Sequence, residues 1–403
     1  MVDPASEQAV EAARWRDGLV QTLPGGYCFD GIPETIAWLA GAADEPALPP
    51  ASLAGLQPPY ERVVLVLADA LGWHRLTDFA DEPFARRLLD QGRVLRLTTQ
   101  FPSTTTAHVT TLCSGDPVGV SGLYEWFQYH EAVDGLVGPL LYARPGDPAG
   151  SLEVAPAEFY DFGETYVQSL VRRGVHATTF QNALYAASPF SRYALDGADV
   201  VPFMEAGEAL RLAAEIERGF VFAYLDAVDT ACHAAGPRSH DATDATRAVL
   251  AALEQLVTSL RPGTLLAVTA DHGHVPADPA RCLYLNEIWP ELPELVAIQG
   301  VAGSPRDVFL HVRDGCADEV VGGLRERLGE RATVEPIEVL IEAGLFGRVS
   351  ERLRRRLGDV VVLPADGHEA WWHAPPVWRQ NLYGHHGGLS AEEAHTYLGL
   401  ISV

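Results

Sequence analysis

The residues best placed to do chemistry in this sequence are a run of threonines and three separated clusters of aspartate and histidine. Residues 100–116 read QFPSTTTAHVTTLCSGD and hold five threonines around one histidine, His108. A threonine hydroxyl is a poor nucleophile at neutral pH, and the chain has no lysine to act as its base. A divalent cation would activate it by lowering the hydroxyl pKa. Without one, the stretch reads as a helix N-cap followed by solvated threonines. The candidate ligands lie elsewhere. DTACH sets Asp229 and His233 four residues apart, so that one helical turn puts both on the same face. ADHGH offers Asp271 and His272 where a strand breaks at Gly273, and YGHHGGLS sets His385 and His386 before a Gly-Gly turn. Carboxylate and imidazole together suit zinc or manganese better than calcium. Three such clusters make a two-metal centre the economical explanation.

These residues need a scaffold that gathers them, and the chain supplies one. RVVLVLADAL (62–71) is an apolar run ending at Asp69, the pattern of a buried parallel strand. RVLRLTTQF (93–101), GVHATTFQ (174–181), GFVFAYLDAVD (219–229) and TLLAVTADHGH (264–274) continue the series. Between the last two, SHDATDATRAVLAALEQLVTSLRPG has helical spacing and a Pro-Gly stop. Alternating strand and helix predicts an α/β fold with a doubly wound, mostly parallel sheet flanked by helices. In such sheets ligands bind at the carboxyl ends of the strands, where Asp69, Asp226, Asp229, Asp271 and His272 fall. Any single aspartate after a strand is more often a turn or cap residue, so the argument rests on the group.

Residues 1–60 read as an N-terminal segment with a Pro/Ala-rich connector. Residues 61–290 and 381–403 read as the core, and 291–380 as a small inserted α+β subdomain. The chain carries 29 basic and 54 acidic residues, a net charge of −25, which argues against nucleic-acid or anionic-membrane partners. It leaves room for a small anionic substrate, because a bound cation reverses the local field. The five cysteines are scattered and fit neither a zinc ribbon nor a disulfide framework. No signal-type segment or long apolar run is visible, so a cytoplasmic protein is the expectation. The sequence leaves the oligomeric state open.

Taken in order, the motifs resemble the alkaline phosphatase superfamily, most closely its nucleotide pyrophosphatase/phosphodiesterase branch. That branch has an Asp after the first strand, matched by Asp69. Its F-P-T-x-T-x-P-N-H-x-T-L-x-x-G motif is matched at Phe101, Pro102, Thr105, Thr111, Leu112 and Gly115. Its Asp-x-x-x-His, Asp-His-Gly and late His-Gly are matched by Asp229 and His233, by Asp271, His272 and Gly273, and by His386 and Gly387. The match runs in order from residue 62 to 390. The resemblance implies an alkaline-phosphatase-like fold and two divalent cations, zinc or alternatively manganese. Asp69, Thr105, Asp271 and His272 would hold one, and Asp229, His233 and His386 the other. It implies cleavage of phosphodiester or nucleotide pyrophosphate bonds in a small phosphorylated or nucleotide-like substrate, through a phosphothreonine on Thr105.

The sequence departs from the branch at Ala107-His108-Val109, where the family reads P-N-H. The family's substrate-binding Asn meets Leu123 or Tyr124. The aromatics Tyr124, Trp126, Phe127 and Tyr129 could wall a ring-binding pocket or belong to the core. Phosphomonoesterase, C–P hydrolase and phosphomutase activities of the same superfamily are alternatives, as is a metal-retaining binding protein. The sulfatase motif C-x-P-x-R is absent.

Overall fold

The computed structural model describes residues 1–16, 18–147 and 152–403. Its principal strands run, in chain order, β1 (Arg62–Ala68), β2 (Arg93–Thr98), β3 (Ala177–Asn182), β4 (Asp199–Phe203), β5 (Gly219–Leu225), β6 (Thr264–Thr269), β7 (Ala302–Ser304), β8 (Asp307–Leu310), β9 (Ala332–Pro336), β10 (Val360–Pro364) and β11 (His395–Ser402). Its helices include α1 (Pro4–Ala12), α2 (Thr105–Ser114), α3 (Ala227–Ala235), α4 (His240–Ser259) and α5 (Ala317–Leu328).

The central sheet has seven strands in the order β2-β11-β6-β1-β5-β3-β4. The neighbours from β6 to β4 pair in parallel, whereas β11 is antiparallel to both β2 and β6. The mostly parallel α/β sheet expected from the sequence is therefore present. Every residue of β1 is buried, because the strand is covered on both faces. Val63, Leu65 and Leu67 enter one core and Val64, Val66 and Ala68 the other. On the second face α4 seals the sheet with Val249, Leu250, Leu253 and Leu256, and Ser239 caps it by accepting the Ala242 amide.

A second, antiparallel sheet, β7-β8-β10-β9, lies within 291–380 and packs against α5. Its core also takes in Phe101, Ala107, Val118 and Tyr124, so the stretch around α2 is shared between the two bodies. The described part of residues 1–60 docks on the first body. Val2 and Cys28 bridge Val94 and Thr98 on β2, and Phe29, Ile32 and Ile36 join the first core. Among the described residues no helix is long and apolar enough to cross a membrane.

Candidate active site

Parallel register gathers the carboxylates. Leu67 stands opposite Thr269, and Ala68 opposite Leu225, so Asp69, Asp226 and Asp271 emerge close to one level at the carboxyl edge of the sheet. The turns after β1 and β6 then lock together. The Ala70 and His272 amides both donate to Asp271 Oδ1, at 3.1 and 3.0 Å. A Cβ on Gly72 would lie 2.9 Å from the Gly273 backbone and the His272 carbonyl, so no side chain fits where the two turns touch. Ala70 holds φ +62°, a strained conformation that the surrounding contacts maintain. Tyr224, on β5, donates its hydroxyl to Asp69 Oδ2 at 2.5 Å.

Thr105 is the first residue of α2. Thr104 is its N-cap: it accepts the Ala107 amide and donates its hydroxyl to the Tyr124 carbonyl. His108 fixes the helix start from inside. Its Nδ1–H donates to the Thr104 carbonyl at 2.6 Å, and its Nε2 accepts the Gln100 amide at 2.9 Å. Both ring nitrogens are thus spent on backbone, so His108 positions the helix and is no ligand. The Thr105 and Thr106 amides, first in the helix, have no intrahelical acceptor and sit at the positive end of its dipole. Thr105 Oγ1 lies 3.1 Å from His272 Nε2 and 3.5 Å from Asp69 Oδ2.

The second cluster is assembled from farther apart. Asp229 and His233 share one face of α3, with His233 Nε2 3.4 Å from Asp229 Oδ1. His386 comes from the segment before β11. Its Nε2 is 3.8 Å from the same oxygen, and its ring stacks on His272 at 3.6 Å between centroids. His272 therefore borders both clusters.

Several observations fit the site to divalent cations. His233, His272 and His386 each spend Nδ1 on a backbone carbonyl, those of Gly384, Gly273 and Ser103, which leaves Nε2 as a free donor pair aimed at the carboxylates. Asp69 Oδ1 and Asp271 Oδ2 are buried without a hydrogen-bond partner among the described residues. Both oxygens lie 3.4 Å from His272 Nε2. Two ligand atoms on one tetrahedral zinc stand roughly 3.3 Å apart, given bonds of about 2.0–2.1 Å. These gaps match that spacing and are too long for hydrogen bonds.

The electrostatics agree. Burial raises the Asp69 carboxyl well above its ordinary value, with the Asp271 and Asp229 charges adding to it, and burial raises Asp271 to about 6. Burial lowers His272 and His386 well below the usual imidazole value, which keeps them in the neutral, ligating form.

Of the predicted ligands, Asp69, Asp271 and His272 form one group with Thr105 beside it, and Asp229 and His386 lie in the other. There the donor atoms within 4.8 Å of one another are those of Asp229, His272, His274 and His386, and His233 approaches Asp229 from outside that set. Asp226 instead accepts from Asn182, and His385 faces Glu369 at 3.9 Å. Of the aromatics, Tyr124 is fully buried and hydrogen-bonded to the Arg356 carbonyl. Phe127 packs on Trp378 and Tyr129 on His311, which leaves Trp126 as the exposed one. Sequence reasoning missed Tyr224, which reads as strand core, and His274, which lies 2.7 Å from Asp229. The His-x-His spacing in ADHGH was the available signal for the latter.

Comparison with known proteins bears on this arrangement. The family profile described as type I phosphodiesterase / nucleotide pyrophosphatase matches residues 63–389. No curated protein matches in sequence. Among solved structures, murine ectonucleotide pyrophosphatase/phosphodiesterase 5, an inactive variant in complex with AMP, superposes with a TM-score of 0.65 at 16% identity, covering 84% of this chain and 87% of that one. Phosphonoacetate hydrolase from Sinorhizobium meliloti, in complex with phosphonoformate, superposes with a TM-score of 0.62 at 16% identity, covering 86% and 92%.

Proposed function

The chain belongs to the type I phosphodiesterase / nucleotide pyrophosphatase family, and from that premise we propose that it hydrolyses a phosphodiester or nucleotide pyrophosphate bond with Thr105 as nucleophile. The observation that carries this reading is the Thr105 hydroxyl 3.1 Å from His272 Nε2, at a helix N-terminus bordered by two carboxylate–imidazole clusters. Asp69, Asp271, His272 and Thr105 would hold one divalent cation, and Asp229, His233 and His386 the other. Zinc is favoured by the imidazole count. When bound, such cations depress the pKa of a coordinated hydroxyl and neutralise phosphoryl oxygens.

The chain's own residues do the rest. The Thr105 hydroxyl loses its proton as its oxygen attacks phosphorus in line, the bond from phosphorus to the leaving oxygen breaks and that oxygen takes up a proton. Water then cleaves the bond from phosphorus to Thr105 and restores the hydroxyl. The free amides of Thr105 and Thr106 point donors at the equatorial oxygens, a task the missing Asn would otherwise share. Tyr224 keeps Asp69 oriented throughout.

AMP bound to the murine protein and phosphonoformate bound to the bacterial one support a small phosphorylated substrate. The likeness to the bacterial protein favours C–P cleavage as the second reading. A panel of bis-p-nitrophenyl phosphate, p-nitrophenyl phosphate, a nucleoside monophosphate nitrophenyl ester and phosphonoacetate, each with zinc and with manganese, separates the readings. Diesters should turn over fastest. Turnover of phosphonoacetate alone would replace the proposal with C–P hydrolysis, and turnover of none would refute both.

A further inference from the structure

Four histidines surround Asp229, and one is built unlike the rest. His233 and His386, like His272, donate Nδ1–H to a backbone carbonyl and turn Nε2 towards the site. His274 Nδ1 is buried and meets no partner among the described residues. Its Nε2 is 2.7 Å from Asp229 Oδ1, while those of His233 and His386 stand 3.4 and 3.8 Å from the same atom. Of the longer gaps, that of His233 is close to the edge of a coordination tetrahedron, roughly 3.3 Å for zinc, and that of His386 is about half an ångström wider. The shorter one is a hydrogen bond to a charged acceptor.

We propose that His274 is a positioning residue: it donates Nε2–H to Asp229 Oδ1, fixes that carboxylate of the second cluster, and does not itself bind the cation. Ligating histidines almost always donate their far nitrogen to an acceptor, which sets the tautomer, and His274 has none among the described residues. With Nε2 carrying the proton, Nδ1 is a bare lone pair, whereas a buried N–H without an acceptor would cost more. The fold holds the ring there deliberately. Val275 pairs with His385 and Pro276 with Gly384, and a Cβ on Gly384 would come within 3.0 Å of His274 Nδ1. The Cys232 carbonyl, Pro237 and this ring together fill the space that a side chain at 384 would take. Pinned this way, Asp229 offers Oδ2 and the remaining lone pair of Oδ1 to a cation shared with His233 and His386.

The inference rests on the two-cation reading, and the experiment separates the two. Zinc affinities are measured by competition with a chromophoric chelator for the wild-type chain, His274→Gln and His274→Met, beside thermal melts of the metal-free proteins. X-ray absorption at the zinc edge counts imidazoles per zinc. Two zinc ions per wild-type chain are expected. His274→Met should weaken one of them 10- to 100-fold and leave the other unchanged. His274→Gln, whose amide can still donate, should stay within a few-fold and keep the wild-type imidazole count. An unchanged affinity in His274→Met would overturn the inference, as would loss of an imidazole in His274→Gln, which decides the matter even if His274→Met fails to fold. Fewer than two sites in the wild type would overturn the two-cation reading and this inference with it.

Discussion

The two ligand clusters meet at His272 but are made in different ways. Asp69, Asp271 and His272 are essentially without solvent exposure and hang on adjacent parallel strands whose turns touch backbone to backbone. Asp229, His233 and His386 are partly exposed, at 16%, 21% and 12%, and join a helix to a segment more than 150 residues later. The first cluster inherits its geometry from sheet register. The second depends on whatever holds residues 384–393 in place. A site of this kind is rigid on the nucleophile's side and tunable on the other, since packing around one segment adjusts half of it.

Breaking the tether of that segment should show the largest effect. Arg306 reaches Glu393 through two 3.0 Å bonds, both side chains are buried, and Glu393 also accepts from the Gly388 amide and the Ser390 hydroxyl. Arg306→Ala leaves that carboxylate buried and unpaired, which costs about 3–5 kcal/mol. Urea unfolding should show this loss, and metal titration should show the second site weakened more than the first. Equal weakening of both sites would mean that the segment does not serve them differently.

Acid should act next, through the helix that carries the nucleophile. Burial lowers His108 to about 4, opposed in part by its bond to the Thr104 carbonyl. An unfolded histidine titrates near 6.5. The unfolded chain therefore takes this proton first, so stability is full above about pH 6.5, falls as pH drops towards 4, and levels below it. The contribution is on the order of 3 kcal/mol, and replacing His108 with Gln should flatten that part of the stability–pH curve. An identical acid slope in the variant would rule His108 out as its source.

A smaller change sharpens the comparison from the other side. Tyr224→Phe removes the hydroxyl that donates to Asp69 Oδ2, a bond to a charged group worth about 1.5–3 kcal/mol. Metal affinity at the first site should fall roughly tenfold and that at the second should hold. A loss confined to the second site would reverse the assignment of Asp69.

The same contrast explains what could be read from the sequence. Asp69, Asp271 and His272 were legible because an apolar strand ending in a polar residue is a local pattern. The Asp229–His233 pair was legible as helical spacing. The strand β11 was not recognised: HTYLGLIS lies at the chain's end, and nothing local says that it inserts antiparallel between β2 and β6. The edge strand β4 carries Pro202 and is mostly exposed, which hides it from both propensity and burial pattern. His108 and His274 defeated the reading for a related reason. Each is defined by a partner: for His108 the backbone of residues 100 and 104, for His274 the side chain of residue 229. Spacing alone does not tell a ligand from a residue that holds a ligand.

The central claim, a threonine nucleophile served by two cation sites, is tested most directly by Thr105→Ala assayed on the preferred diester with metal content measured on the same sample. The account predicts turnover reduced at least a thousandfold (about 4 kcal/mol) with close to two metal ions per chain retained, the lost hydroxyl being one ligand among several. Activity near the wild-type level in a fully metallated Thr105→Ala protein would contradict it.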